Sequence, residues 1–167
     1  APENEFESVE YKLTLQGVRD TLAKIDQVVP GYNGQGYEIA GFAWWQGHKD
    51  SFSEKDIAEY EKNLVNLIND LRKDLNAPKM PVVIAGVGFG GHNMAGKFRN
   101  IMAAQLAVGD PAKHPEFAGN VASVDTRDFW REVGGFDERY SPGYYEDTDL
   151  CFAARDRGLK VIYEPRA

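Results

Sequence analysis

The chain has 167 residues, of which 43% are apolar and 27% charged, with a formal net charge of −7. That length suits one domain with a sizeable core. The acidic balance argues against nucleic-acid binding, which draws on clustered Lys and Arg, and no apolar run reaches the roughly 18 residues of a membrane span.

A single cysteine, Cys151, excludes an internal disulfide and a cysteine-based zinc site. The opening stretch "APENEFESVEYKL" carries neither the basic nor the apolar region of a signal peptide, so none is expected from it. Leu15, Val18, Leu22, Ile25 and Val29 recur at helical spacing and predict one apolar stripe, stopped by Pro30-Gly31. "YEIAGFAW", near residues 37 to 44, then reads as a strand rich in β-branched and aromatic residues.

Ser53 is placed to cap the next helix, with Asp56 three positions on. Ile57, Tyr60, Leu64, Leu67, Ile68, Leu71 and Leu75 form its apolar face. "PVVIAGV", near 81 to 87, is a continuous apolar run, as expected of a strand buried on both faces of a parallel sheet. A glycine-rich loop, a helix near 97 to 107 and a third strand near 120 to 125 follow. "YYEDTDLCFAARDRG" reads as a helix, and a fourth strand is expected near 159 to 163. The alternation predicts an α/β fold, a mostly parallel sheet in a three-layer sandwich with helices on both faces.

In such a sheet ligands gather at the carboxyl ends of the strands. Trp45, Gln46, Gly47, His48 and Asp50 fall at the end of the first strand. A Gln side-chain amide beside a glycine amide can supply the neutral donors of an oxyanion hole. The plainer alternative makes Trp44 core, Trp45 a half-buried lid and the rest a loop. "GVGFGG" fits a G-x-G-x-x-G pattern at Gly86, Gly88 and Gly91. Asn93 and Gly96 delay the helix that a dinucleotide site requires, and Asp125 comes too late as its acid, so a loop is expected and no cofactor or metal. Glu146, Asp147 and Asp149 are either an acidic first helical turn or a general base or metal site. His48, His92 and His114 lie in loops, and no G-x-S-x-G elbow accompanies them.

The stretches "GYEIAGFAWWQGHKD", "EYEKNLVNLINDLRKDLNAP", "AAQLAV", "PEFAGNV" and "VDTRDFWRE", between about residues 30 and 131, resemble bacterial carbohydrate esterases of the sialate O-acetylesterase type. The resemblance implies an SGNH-hydrolase fold, flavodoxin-like in layout, and removal of acetyl groups from sugars by a Ser nucleophile and a His base. It implies that Gln46 and Gly47 lie near the oxyanion hole and Asp50 near a polar position of the third sequence block. Trp45 and His48 are the candidate substrate-binding residues for an acetylated sugar, and His48 stands where many relatives carry an acid, which leaves its role open. The family's G-Q-S-N-M nucleophile segment is not in this chain, and the region where its histidine belongs reads differently.

From Val133, "VGGFDERYSPGYYEDTDLCFAARDRGLKVIYEPRA" resembles the family-2 glycosyltransferases, whose base would fall at Asp147. The sequence thus divides into an esterase-like region, 1–131, and a transferase-like helix-strand segment, 132–167, joined near 128 to 134 and expected to fold as one unit. The expected function is an esterase-derived domain that is catalytically incomplete by itself. The alternatives are a glycosyltransferase acceptor fragment and a non-enzymatic carbohydrate-binding module with Trp44 or Trp45 as its platform.

Overall fold

A computed structural model describes residues 9–128. The expected strand near 159 to 163, the helix of "YYEDTDLCFAARDRG" and Asp147 lie outside the described residues. Helix α1, Val9–Ala23, and the single turn α2, Ile25–Val28, are separated at Lys24. The Thr21 hydroxyl donates back to the Gly17 carbonyl at 2.8 Å, a local bond that competes with continued helix geometry. Of the predicted stripe, Leu15 enters the core, Val18, Leu22 and Ile25 are half-buried, and Val29 is exposed.

Strand β1, Phe42–Trp44, is much shorter than the expected 37 to 44. Its partner explains this. Phe42 donates to the Pro81 carbonyl and is in register with Val82, and Pro81 has no N–H with which to continue the ladder upstream. A 3-10 turn, Asp50–Phe52, leads to α3, Glu54–Asp74, whose start is capped as expected: the Ser53 hydroxyl accepts from the Asp56 amide at 3.2 Å. Tyr60, Leu64, Ile68 and Leu71 are buried along α3, while Ile57, Leu67 and Leu75 pack at its margins. Strand β2, Val82–Ala85, α4, Gly96–Val108, and β3, Val121–Val124, complete the described chain.

The sheet runs β1-β2-β3 and is parallel throughout. Register places Phe42, Val82 and Val121 in one row and Trp44, Ile84 and Ser123 in the next. This face meets α3 and α4, with Ile68, Ile84 and Ile101 fully buried, each side chain worth about 1.5–3 kcal/mol relative to exposure. On the opposite face, the row Ala43, Val83, Ala122 is exposed. "PVVIAGV" is therefore buried on one face, not both: Val82 and Ile84 alternate with Val83, which is 47% exposed. The parallel α/β architecture itself is as expected.

Candidate active site

The carboxyl end of β1 carries the residues that the sequence singles out. Trp44 is half-buried, and its indole Nε1 donates to the Tyr60 hydroxyl at 3.1 Å. Trp45 turns outward and is 47% exposed. The next two residues have opposite environments: Gln46 is exposed and Gly47 is buried. Gly47 has φ +148, and a Cβ there would stand 2.7 Å from Ile101 Cγ2 and 3.1 Å from Val87 Cγ1. Only glycine allows the backbone this conformation and this approach to the core.

Beyond Gly47 the chain tightens into the 3-10 turn. The Ser51 amide donates to the Gly47 and His48 carbonyls, and the buried Ser51 hydroxyl donates to the His48 carbonyl at 2.6 Å. That turn brings Asp50 back against Gln46, where Asp50 Oδ2 accepts from the Gln46 side-chain Nε2 at 2.5 Å. The carboxylate fixes which way the Gln46 amide faces.

Under this loop lies a buried polar network. The Gln46 carbonyl accepts from the Tyr60 hydroxyl at 2.6 Å and from Gln105 Nε2 at 2.7 Å. Gln105, fully buried on α4, accepts through Oε1 from the Val87 amide at 2.7 Å, and its own carbonyl accepts from the Ser123 hydroxyl on β3. Burial pushes the Tyr60 phenol up to about 12, against the smaller pull of its bonds with Trp44 and Gln105, so the hydroxyl stays protonated and donates at neutral pH.

His48 projects from the loop into an aromatic group. Its ring lies 5.1 Å from Phe52, 4.9 Å from Phe89 and 5.8 Å, stacked, from Phe98. Lys97 Nζ sits 3.6 Å from the centre of the Phe52 ring, a cation–π contact. Trp45, Gln46, Gly47, His48 and Asp50 thus share one loop system at the carboxyl edge, while Asp147 lies outside the described residues.

The other candidates are dispersed. His92 pairs with Asp128 at 2.5 Å in the loops after β2 and β3. His114 lies between Glu61 at 3.0 Å and Glu116 at 2.9 Å, which raise its pKa, Glu116 most. The glycine-rich loop turns at Gly90 and Gly91, both at positive φ, and α4 opens only at Gly96. The described serines are engaged elsewhere: Ser51 with His48, Ser53 as the α3 cap, Ser123 with Gln105. Sequence reasoning missed Gln105 and the Tyr60 hydroxyl. A lone amide inside the apolar run "AAQLAV" was the available signal for the first.

Comparison with known proteins gives the family of the chain. Residues 11–129 match the family described as carbohydrate esterase, sialic acid-specific acetylesterase. A probable carbohydrate esterase of Arabidopsis thaliana is 34% identical over 73 residues, 44% of this chain and 26% of that protein. The match thus spans about a quarter of that relative's length. No solved structure matches the chain. The family match stops at residue 129, and the transferase likeness of residues 132–167 draws no support from these matches. Over most of its length, the chain belongs to the sialic acid-specific acetylesterase family of carbohydrate esterases.

Proposed function

We propose that the carboxyl-edge loop is the oxyanion-stabilising part of an acetyl-sugar ester hydrolase. The observation that carries this reading is the Gln46–Gly47 pair: a glycine held at φ +148 beside a Gln amide held by Asp50. Ester hydrolysis passes through a tetrahedral intermediate whose former carbonyl oxygen becomes negative. The Gly47 N–H and the second hydrogen of Gln46 Nε2 are neutral, fixed donors for that charge, and one such donor contributes about 2.7–4 kcal/mol. Asp50 accepts one Nε2 hydrogen of Gln46 and so orients the amide, leaving the other hydrogen directed elsewhere. Trp45 and His48 flank the loop and face the sugar, with Phe89 and Phe98 backing the His48 ring. The proposed substrate is an O-acetylated sugar of the sialate class.

Hydrolysis also requires a nucleophile and a base. Among the described residues, Ser51, Ser53 and Ser123 all engage their hydroxyls in structural hydrogen bonds. With these serines so engaged, the chain by itself is expected to release no p-nitrophenol from p-nitrophenyl acetate above a denatured control. Saturable turnover abolished by Ser51→Ala or Ser53→Ala would overturn that assignment. A carbohydrate-binding module without turnover is the second reading, favoured by the same engagement of the serines. It is separated from the first by saturable binding of the unacetylated sugar with no preference for the ester. Residues 1–131 and 132–167 are proposed to form one folding unit, because Val83 and Val124 leave an apolar sheet face exposed. An unchanged melting temperature and cooperativity after truncation at Arg131 would contradict this.

A further inference from the structure

We infer that Tyr60 and Gln105 are positioning residues that set the direction of the Gly47 amide; this rests on the reading of Gln46–Gly47 as the oxyanion site. The hydrogen-bond inventory of the network closes without a spare group. The Val87 amide can only donate, so the Gln105 atom it meets is the oxygen, and Nε2 must be the atom facing Gln46 and Tyr60. One Nε2 hydrogen goes to the Gln46 carbonyl and the other to the Tyr60 oxygen. The Trp44 indole is also only a donor, so the Tyr60 oxygen receives two hydrogens, and its own proton has one acceptor left, the Gln46 carbonyl.

Two donors thus converge on one carbonyl from the core side. A trans peptide sets its N–H opposite its C=O. Drawing the Gln46 carbonyl toward Tyr60 and Gln105 therefore turns the Gly47 N–H away from them, toward the side of the loop opposite these two side chains. Gly47 supplies the required backbone conformation, and the two side chains hold it. Gln105 has a second reach. Through Gln46, Val87 and Ser123 it ties α4 to the end of β1, the end of β2 and the body of β3. The donor direction is thereby referred to the whole sheet and not to a loop alone. A fully satisfied buried network of this kind fixes one arrangement, and a half-satisfied one does not.

The test uses the full chain with Tyr60→Phe and Gln105→Met, and Arg72→Lys as a control that weakens the fold at the far edge of the sheet without touching these groups. Amide hydrogen exchange at Gly47 is read by NMR, with sodium acetate added afterwards as the probe of the donors. Exchange at Gly47 is expected to quicken about tenfold in Tyr60→Phe, consistent with loss of one net hydrogen bond, and to change little in Arg72→Lys. The acetate-dependent shift of the Gly47 amide weakens in the same order. Unchanged Gly47 exchange in folded Tyr60→Phe would overturn the inference, as would equal quickening in Arg72→Lys. If Gln105→Met does not fold, Tyr60→Phe decides alone. If acetate shifts nothing at Gly47 in the unsubstituted chain, the ester-site reading fails, while the exchange comparison still decides the positioning role.

Discussion

Two buried polar networks lie at opposite edges of the sheet, and they are built differently. At the amino edge Arg72, from the end of α3, donates through Nε and Nη2 to the Met80 carbonyl and through Nη2 to Asn120 Oδ1. Its guanidinium also lies 5.3 Å from the centre of the Phe117 ring. This staple joins the segments that enter β2 and β3, and burial lowers the Arg72 pKa from its ordinary value. At the carboxyl edge Trp44, Tyr60, Gln105 and the Gln46 carbonyl are all neutral. A buried guanidinium and its acceptors are costly to separate, so loss of the staple at the amino edge is expected to show in stability. A neutral network is cheaper to disturb but directional, so the carboxyl edge is a device for geometry. The carboxyl edge is the one expected to loosen without unfolding the domain.

The contrast is sharpest at Arg72. Arg72→Met leaves the Met80 carbonyl and Asn120 without their donors and is expected to cost about 2–4 kcal/mol, read as a melting-temperature loss of roughly 2–4 °C per kcal/mol. Arg72→Lys recovers little of it, because an ammonium cannot reproduce the fork. Gly47→Ala comes next. A Cβ at 2.7 Å from Ile101 Cγ2 in a left-handed backbone costs about 2–3 kcal/mol by thermal melting, and it displaces the proposed donor besides.

Tyr60→Phe, which leaves the Trp44 indole and one Gln105 hydrogen without an acceptor, is expected to cost about 1–2 kcal/mol by the same measurement, and to change Gly47 exchange where Arg72→Lys does not. A Tyr60→Phe loss exceeding that of Arg72→Met would break the contrast between the two edges. The smallest effect is expected at His114, whose pKa Glu116 and Glu61 raise. Its contribution is complete below about pH 6.5, the ordinary histidine value, and is lost as pH rises through the raised value. Glu116, whose pKa His114 lowers, contributes in the opposite sense and loses its share only in acid. Chemical denaturation on either side of neutral pH should show the alkaline loss, and Glu61→Gln should flatten it.

The elements were legible where periodicity was long. The α3 stripe and the Ser53 cap follow from spacing alone, and β2 and β3 fall inside the expected runs. The length of β1 was not legible, because it is set by Pro81 across the sheet and not by "YEIAGFAW" itself. Nor was Arg72, a charged residue one turn beyond Ile68 on α3, which is buried by acceptors 8 and 48 positions along the chain at Met80 and Asn120. The loop "WWQGHKD" stood out through its residue types. The partners of its Gln46 carbonyl, Tyr60 and Gln105, sit 14 and 59 positions from Gln46, beyond any local pattern.

An acetate titration followed by NMR bears most directly on the oxyanion site. The Gly47 backbone amide and the Gln46 side-chain amide are expected to shift saturably and together, and the Gly47→Ala substitution should abolish both shifts. No saturable shift at either group, or shifts confined to the amino edge around Arg72, would contradict the assignment of this loop as an oxyanion site.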